Sequence, residues 1–487
     1  MKSGKPAEID LASGKRLAEF PLGNRTSAAP HAAPRPVFPM TPTERKNLLT
    51  HLQTALEIEY STVPIYLYTY YSIQRQPSNF PKDMPKARQE QIATFANKAG
   101  GLIMSVAVEE MLHMSLASNL IRALGGMPDL NLYQKPSTIY PTPLPHHSPK
   151  FNPDPQAKGE FKVPLSRLTS LQLGYFLGIE YPETRKSKPQ GNNWDTIGQF
   201  YHYITDQIEK HATDTDFSHG PQQLGPGRGY YSPNNVDTIY PKDAKILANA
   251  PSLPDSTALA AAAVYPDNHD SGGLVTVVDK ASALLVINTI SEQGEGNPSD
   301  PSHRYDDPSK QEDTHWFKFS EVRDELAGFS PAELATFVFA FPDNPTRAGY
   351  KPAKGAYDYR PFVDLANAVF TYVFQLTQLS FQLSGTAQHM VFNIGMHKAM
   401  IFVLDKIVGA MRYYYLNGNG TSGNGSGTAL APTFENYPFK SLATAKQEMV
   451  ALFAKAPADF QKDNPQILKR MQDLPDVNVG PDGTVRF

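Results

Sequence analysis

The sequence predicts a mostly α-helical protein. Long segments place apolar residues at steps of three and four, which is the spacing of one helix face, and no alternating strand pattern of any length occurs. The 43 prolines cluster between these segments. With 487 residues and 40% apolar content, the chain can bury a large core, as roughly two to four domains or one elaborated domain.

Composition excludes several classes of function. The net charge is −3 with 19% charged residues, and no basic block or basic-aromatic stripe indicates a nucleic-acid partner. No apolar run reaches the roughly 18 residues of a membrane span. The opening "MKSGKPAEIDLASGK" lacks the apolar middle of a signal peptide, so we expect a cytoplasmic protein. Because cysteine is absent, any metal must be held by carboxylate and imidazole groups.

The chain divides into three predicted parts. Residues 1–40 have the composition of a poorly ordered arm. Residues 41–320 are predicted to form a metal-binding helical bundle with a Gly-, Tyr- and Pro-rich insert at 213–273. Residues 321–487 are predicted to be a helical extension packed on that bundle.

Local signals set the predicted helix bounds. Thr41 or Thr43 can cap the first helix, with Glu44 in its first turn. Gly125-Gly126 end the second, which contains a potential break at Gly100-Gly101, and a proline-rich crossover over 127–163 follows. The predicted helices are 42–75, 86–124, 164–181 (ended by Pro182), 194–212, 274–293, 359–384, 386–416 and one near 440–455.

The second helix, "VAVEEMLHMSLASNLIRALGG", carries polar groups on its apolar side. Glu110 and His113 fall on or beside the stripe of apolar residues. Glu109 is turned away by about 100°, so we expect it to be exposed or to lie behind the ligands. A buried carboxylate costs several kcal/mol unless it is paired or binds a metal. The pair Glu110 and His113 therefore has two interpretations: a Glu–His hydrogen bond inside a bundle, or part of a metal site.

Three other helices repeat this feature. Glu59 lies on the inner face of the first helix, and Glu180 lies on the apolar side of the third. The fifth helix ends in Glu292 and Glu295, and His315 follows twenty residues beyond in "DTHWFKF". Two helices with one Glu each and two with Glu-x-x-His form the two-metal site of ferritin-like bundles, whose ligands suit iron or manganese.

Five segments resemble a known domain: "LEIEYSTVPIYLYTYYSI", "SVAVEEMLHMSLASNLIRALGG", "FLGIEYPE", "TIGQFYHYI" and "ISEQGEG…HWFKF". They are similar to the ferritin-like domain of iminophenyl-pyruvate dimer synthases, which act in violacein and related bisindole pathways. The resemblance covers roughly residues 42–440 and implies a ferritin-like four-helix bundle with a long crossover, elaborated by loop inserts and extra C-terminal helices. Because those synthases are much longer chains, the resemblance carries over the domain and not their reaction.

The resemblance implies a ligand set. The fifth helix departs from the family pattern, because "EQGE" stands where Glu-x-x-His is expected. We favour Glu292 with His315 there, and Glu295 is the alternative. The implied ligands are Glu59, Glu110, His113, Glu180, Glu292 and His315. Two iron ions per chain are favoured, while one iron, or manganese, remains open.

Two further residues are expected near the metals. Tyr66 lies seven residues after Glu59 on the same face, and His202 could orient a ligand carboxylate. The favoured function is a non-haem iron oxidase or oxygenase that uses dioxygen on a small, aromatic or amino-acid-derived metabolite in specialised metabolism. Iron handling without an organic substrate and a metal-free structural bundle are the alternatives. Apolar bundles of this kind often pair, so a homodimer is expected.

Overall fold

The computed structural model describes most of the chain between residues 39 and 478. It leaves out 76, 79, 150–151, 154–160, 183–186, 218–219, 221, 226–273, 295–313, 397, 417 and 424–426, and it also describes residue 485. The predicted arm therefore lies outside the described residues except for its last two positions. Most of the predicted insert lies outside them as well.

The mostly α-helical prediction is confirmed. Within the described residues, extended segments pair only as isolated bridges, such as Ile73 with Val338 and Thr142 with Val163. None of the described helices has both the length and the apolar character that crossing a bilayer requires.

Two long helices, α1 (Pro42–Tyr71) and α2 (Lys86–Ala123), form the most extensive helix pair. Thr41 caps α1, and the Glu44 side chain accepts a hydrogen bond from the Thr41 backbone N–H at 2.8 Å. Helix α2 runs unbroken through Gly100, so the predicted break there is wrong. A side chain at Gly100 would meet Arg75 at 2.8 Å, which explains the glycine by close packing.

Four shorter helices pack against this pair: α3 (Ser170–Ile179), α4 (Ile197–His211), α5 (Lys280–Gly294) and α6 (His315–Leu326). Helix α3 contacts α6, and α4 contacts α5; α1 contacts α4, while α2 contacts both α5 and α6. The two short pairs therefore lie beside the long pair. The end of α3 lies close to the end of α5 and to the start of α6, because Glu180 approaches Gly294 and His315.

The C-terminal part is also helical. The helix predicted over 386–416 is not one α-helix, because two π-helical turns, Met390–Met396 and Lys398–Leu404, interrupt it. Two short helices near the end were not predicted. The α-helices here are α7 (Pro331–Leu334), α8 (Arg360–Ser380), α9 (Gly385–His389), α10 (Asp405–Met411), α11 (Ala445–Phe453), α12 (Ala458–Asp463) and α13 (Pro465–Gln472), and short 3₁₀ turns occur at Leu132–Gln134, Asp214–Phe217 and Arg347–Tyr350.

Buried polar contacts join the C-terminal part to the bundle. Arg412 is buried and donates to the carbonyl of Ile73, just after α1, at 2.9 Å. The Gln378 side chain accepts from the backbone N–H of Leu130 at 2.7 Å. The apolar side chains of both parts belong to one continuous core. The division at residue 320 stays a prediction.

Asp216 ties together the start of α1, the end of α2 and the chain after α4. Its carboxylate accepts from Arg45 at 2.7 Å and from the backbone N–H groups of Met40 and Thr213. Arg45 also donates to the carbonyl of Leu124 at 3.2 Å. Asp216 thus holds one end of the bundle closed.

We expect Asp216→Ala to lower the free energy of unfolding by about 3 kcal/mol, because Arg45 and two backbone N–H groups lose a buried acceptor. Asp214→Ala is the matched control, since Asp214 is exposed in the same turn and accepts only from the Lys280 backbone among the contacts described. Urea unfolding at pH 7 measures both. Equal losses in the two variants would contradict this account.

The same contact predicts a pH dependence. Burial raises the pKa of Asp216, but the hydrogen bonds from Thr213 and Met40 and the charge of Arg45 outweigh it, so the pKa is lowered. The stabilisation by Asp216 is therefore present above the pKa of an unfolded aspartate, and it is lost as the pH falls through the lowered value. Asp216→Ala should therefore lower the free energy of unfolding less in acid than at pH 7. Urea unfolding across this pH range measures the difference.

Candidate metal centre

Five predicted ligand residues meet inside the bundle: Glu59 from α1, Glu110 and His113 from α2, Glu180 at the end of α3, and His315 at the start of α6. Each is at most 3% exposed. One ligand atom each from Glu110, His113 and His315 lies within 4.8 Å of the other two. The described residues therefore contain a buried group that could hold a metal ion.

The side-chain amide of Gln293 contacts the His113 ring on the side away from the carboxylates. Nε2 of His113 lies 2.9 Å from Oε1 of Gln293 in α5. Since that oxygen accepts, Nε2 is the donor, and Nδ1 is the nitrogen left to face a metal. Nδ1 lies 3.4 Å from Oε2 of Glu59. His113 thus presents a metal-binding nitrogen toward a carboxylate.

The His315 ring has the same arrangement with a different outer partner. Its Nε2 lies 2.9 Å from Oε2 of Glu109, which accepts the proton. Its Nδ1 is 3.0 Å from Oε1 of Glu110 and 3.6 Å from Oε2 of Glu180, yet it makes no hydrogen bond of acceptable geometry. A buried nitrogen that faces two carboxylates without such a bond fits a metal ligand better than a structural hydrogen bond.

The two rings lie side by side, with centroids 5.3 Å apart and planes 24° apart. Both turn Nδ1 inward and keep the proton on Nε2 with an outer acceptor. This pattern is typical of metal-binding histidines. The donors are carboxylate oxygens and imidazole nitrogens, so the residues present fit a divalent ion such as iron or manganese.

Each of the three carboxylates also lies beside a hydroxyl. Tyr201 of α4 donates to Glu59, Tyr66 of α1 donates to Glu180, and the Thr62 hydroxyl donates to Glu110 at 2.9 Å. Burial and the charge of Glu180 raise the pKa of Tyr66 well above its usual value, so its hydroxyl stays a donor. These contacts orient the carboxylates.

Electrostatics show that the cluster needs positive charge. Burial, followed by the charge of Glu59, raises the pKa of Glu110 well above its usual value. The pKa of Glu59 is lowered, because hydrogen bonds from His113 and other neighbours outweigh its burial. Burial opposes protonation of His315, but Glu180 and the other carboxylates raise its pKa well above the usual value. Protons supply this charge when no metal is bound.

Glu109 and Lys318 are the functional residues that sequence reasoning missed or left undecided. Glu109 is buried, so the expectation of an exposed side chain is wrong, and its position behind a ligand is the alternative that holds. Lys318 is also fully buried, and its Nζ lies 3.0 and 2.9 Å from the two oxygens of Glu109. The signal was the i, i+3 spacing of His315 and Lys318.

The fifth helix faces the cluster with Gln293 and Gly294. A side chain at position 294 would lie 3.1 Å from Oε2 of Glu180, so glycine allows this close approach. Glu292 is half-buried, one residue before Gln293, and adjacent helical residues point about 100° apart. Its role as a ligand stays a prediction. Glu295 lies outside the described residues.

The fourth helix contributes Tyr201 to the cluster. His202 is half-buried, and its Nδ1 lies 3.1 Å from the Ser187 hydroxyl. Its predicted role in orienting a ligand stays a prediction. His147, in the crossover, is buried against Trp194 with ring centroids 4.2 Å apart.

An apolar wall closes one side of the centre. The rings of Tyr66, Phe176 and Phe319 form a triangle with centroid separations of 4.7, 5.1 and 4.8 Å. All three side chains are fully buried. They keep water from the Glu180 side of the cluster, which strengthens the electrostatic interactions inside.

We expect metal binding to release protons, because the raised pKa values of Glu110 and His315 leave protons where the metal must bind. For each proton displaced, the apparent affinity for the metal should fall about tenfold for every unit by which the pH is lowered. Calorimetric titration with Co²⁺ in buffers of different ionisation enthalpy measures the protons released. An affinity that stays constant between about pH 6 and pH 8 would contradict this expectation.

A comparison with protein families agrees with the geometry. A family model described as ferritin-like matches residues 52–324, more than half of the 487 residues, and the matched segment contains the whole cluster. A ferritin-like protein from Caulobacter vibrioides aligns over 80% of this chain and 100% of its own, with 18% identity and a TM-score of 0.45. Curated proteins gave no match. The family match confirms the predicted helical-bundle class, and this chain belongs to the ferritin-like family.

Proposed function

We propose that the protein is a non-haem iron oxidase or oxygenase with two iron ions per chain. Its substrates in this proposal are dioxygen and a small organic metabolite. The observation that carries the proposal is the matched orientation of two buried histidines, each with Nδ1 turned toward carboxylates and Nε2 held by an outer acceptor.

The distances between ligand atoms support a proposal of two half-sites. Glu59 and His113 would hold one iron, since Oε2 and Nδ1 are 3.4 Å apart. Glu180 and His315 would hold the other, with the corresponding atoms 3.6 Å apart. Glu110 is 3.0 Å from His315 and belongs to the same three-residue group as His113, so it would serve both. Glu292, or Glu295 in its place, completes the proposed set.

The chain itself prepares the site for such chemistry. Iron supplies the redox reactivity with dioxygen that amino-acid side chains lack. The aromatic triangle excludes water, and the hydroxyls of Tyr66 and Tyr201 hold protons beside Glu180 and Glu59. Three carboxylates and two imidazoles held before metal arrives reduce the reorganisation needed on binding.

The organic substrate rests on the resemblance to iminophenyl-pyruvate dimer synthases. An aromatic or amino-acid-derived metabolite and a place in specialised metabolism are proposed on this ground. The proposal also states that the protein is a member of that subfamily, lies in the cytoplasm and forms a homodimer. The extra C-terminal helices support it, since a bare four-helix bundle needs no such extension to hold two metals.

We expect the protein purified without added metal, then given Fe²⁺ anaerobically, to contain about two irons per chain. The Glu110→Ala, His113→Ala double variant should contain almost none, because it removes ligands of both half-sites. Glu59→Gln should lose roughly half of the iron, whereas Glu57→Gln, two residues away on another side of α1, should lose none. Elemental analysis measures all four proteins.

Oxygen uptake then separates the functions. An oxidase consumes dioxygen with an organic substrate and forms no iron mineral core, which oxygen electrodes and electron microscopy detect. Iron handling would show oxygen uptake with Fe²⁺ alone and a growing mineral. A wild-type protein that binds no iron under anaerobic loading would overturn the proposal and leave a structural bundle.

A further inference from the structure

Lys318 is a charged side chain buried beside the metal centre without touching a predicted ligand oxygen in the contacts described. Its Nζ lies 3.0 and 2.9 Å from the two carboxylate oxygens of Glu109. Both side chains are at most 1% exposed. Burying an ion pair costs desolvation energy that the attraction often does not exceed, so a buried pair at this place indicates a role beyond stability.

Among the contacts described, the Lys318–Glu109 pair bonds to His315. Oε2 of Glu109 accepts the Nε2–H of His315 at 2.9 Å, so Lys318, Glu109 and His315 form a continuous chain. Lys318 and His315 lie three residues apart on α6, on the same face of the helix. Behind His113, the corresponding acceptor is the neutral amide oxygen of Gln293. The two histidines therefore have unlike outer partners.

We propose that Lys318 is a positioning residue: acting through Glu109, it holds His315 with Nδ1 toward Glu110 and Glu180, and it makes that metal position tighter than the one at Glu59 and His113. This inference rests on the proposed function, because it requires two metal positions. It assigns an order of filling, with the His315 position first.

The physical reason lies in the hydrogen bond at Nε2. A carboxylate that accepts this bond makes the imidazole a stronger donor than an amide oxygen does, since charge-assisted hydrogen bonds are about twice as strong as neutral ones. Lys318 fixes both oxygens of Glu109, so the carboxylate keeps the angle that His315 needs. Without that anchor, Glu109 can rotate, and it is the direct neighbour of Glu110 in α2.

Anaerobic titration with Co²⁺ tests the inference, because the visible absorption of Co²⁺ reports each filled position. The wild type should fill two positions in two resolved steps. Lys318→Met should weaken the first step by about 10- to 100-fold, the range seen when outer partners of metal ligands are removed, and leave the second within about threefold. Lys318→Arg should restore most of the first step, because its guanidinium can bind both Glu109 oxygens.

Two further variants control for folding and for position. Lys318→Met removes the cation beside the buried Glu109 carboxylate, so the Lys318→Met, Glu109→Gln double variant, which removes both charges, should show the same weakened first step. Gln293→Leu should weaken the second step alone. Near-ultraviolet circular dichroism checks that each variant is folded.

The outcomes separate the two proposals. Unchanged first-step affinity in the folded Lys318→Met and double variants would overturn the role of Lys318. Two Co²⁺ ions filling in one unresolved wild-type step, or a single ion only, would overturn the inequality of the positions while leaving a metal centre. A wild type that binds no Co²⁺ and no Fe²⁺ would instead overturn the proposed function.

Discussion

The burial of three carboxylates in one cluster is the constraint on which the rest of the structure depends. Like charges in a low-dielectric interior repel strongly, so the cluster of Glu59, Glu110 and Glu180 requires positive charge nearby. The protein places two imidazoles and three hydroxyl donors around them. A metal-binding role explains this expensive arrangement, whereas a structural bundle would be more stable with apolar residues there.

The arrangement of the helices brings the groups of this cluster together. The long pair α1 and α2 supplies Glu59, Glu110 and His113 from helix interiors, where side-chain directions are fixed by the helical period. The other groups come from helix ends: Glu180 closes α3, and His315 opens α6. Short helices thus bring Glu180 and His315 to the same centre as the ligands of the long pair.

Helix periodicity made part of the centre predictable and left part of it hidden. Glu59, Glu110 and His113 lie in regular helices, so a three- or four-residue step identified the face they share. The same step placed Glu180 on the apolar side of the third helix, whereas pairing His315 with these ligands needed the family resemblance, because His315 lies beyond the fifth helix in sequence. Lys318 and Gln293 were not predicted, and Glu109 was left between two alternatives. Each acts through a contact between helices far apart in sequence, and local spacing shows only which residues share a helix face.

The central claim is that metal binds between the inward Nδ1 atoms of His113 and His315. Crystals loaded anaerobically with Fe²⁺ and measured on both sides of the iron absorption edge test it directly. The account predicts anomalous peaks among Glu59, Glu110, Glu180 and the two Nδ1 atoms, with Glu109 and Gln293 still bonded to Nε2. Loaded crystals with no peak there, or with iron bound through Nε2, would contradict it.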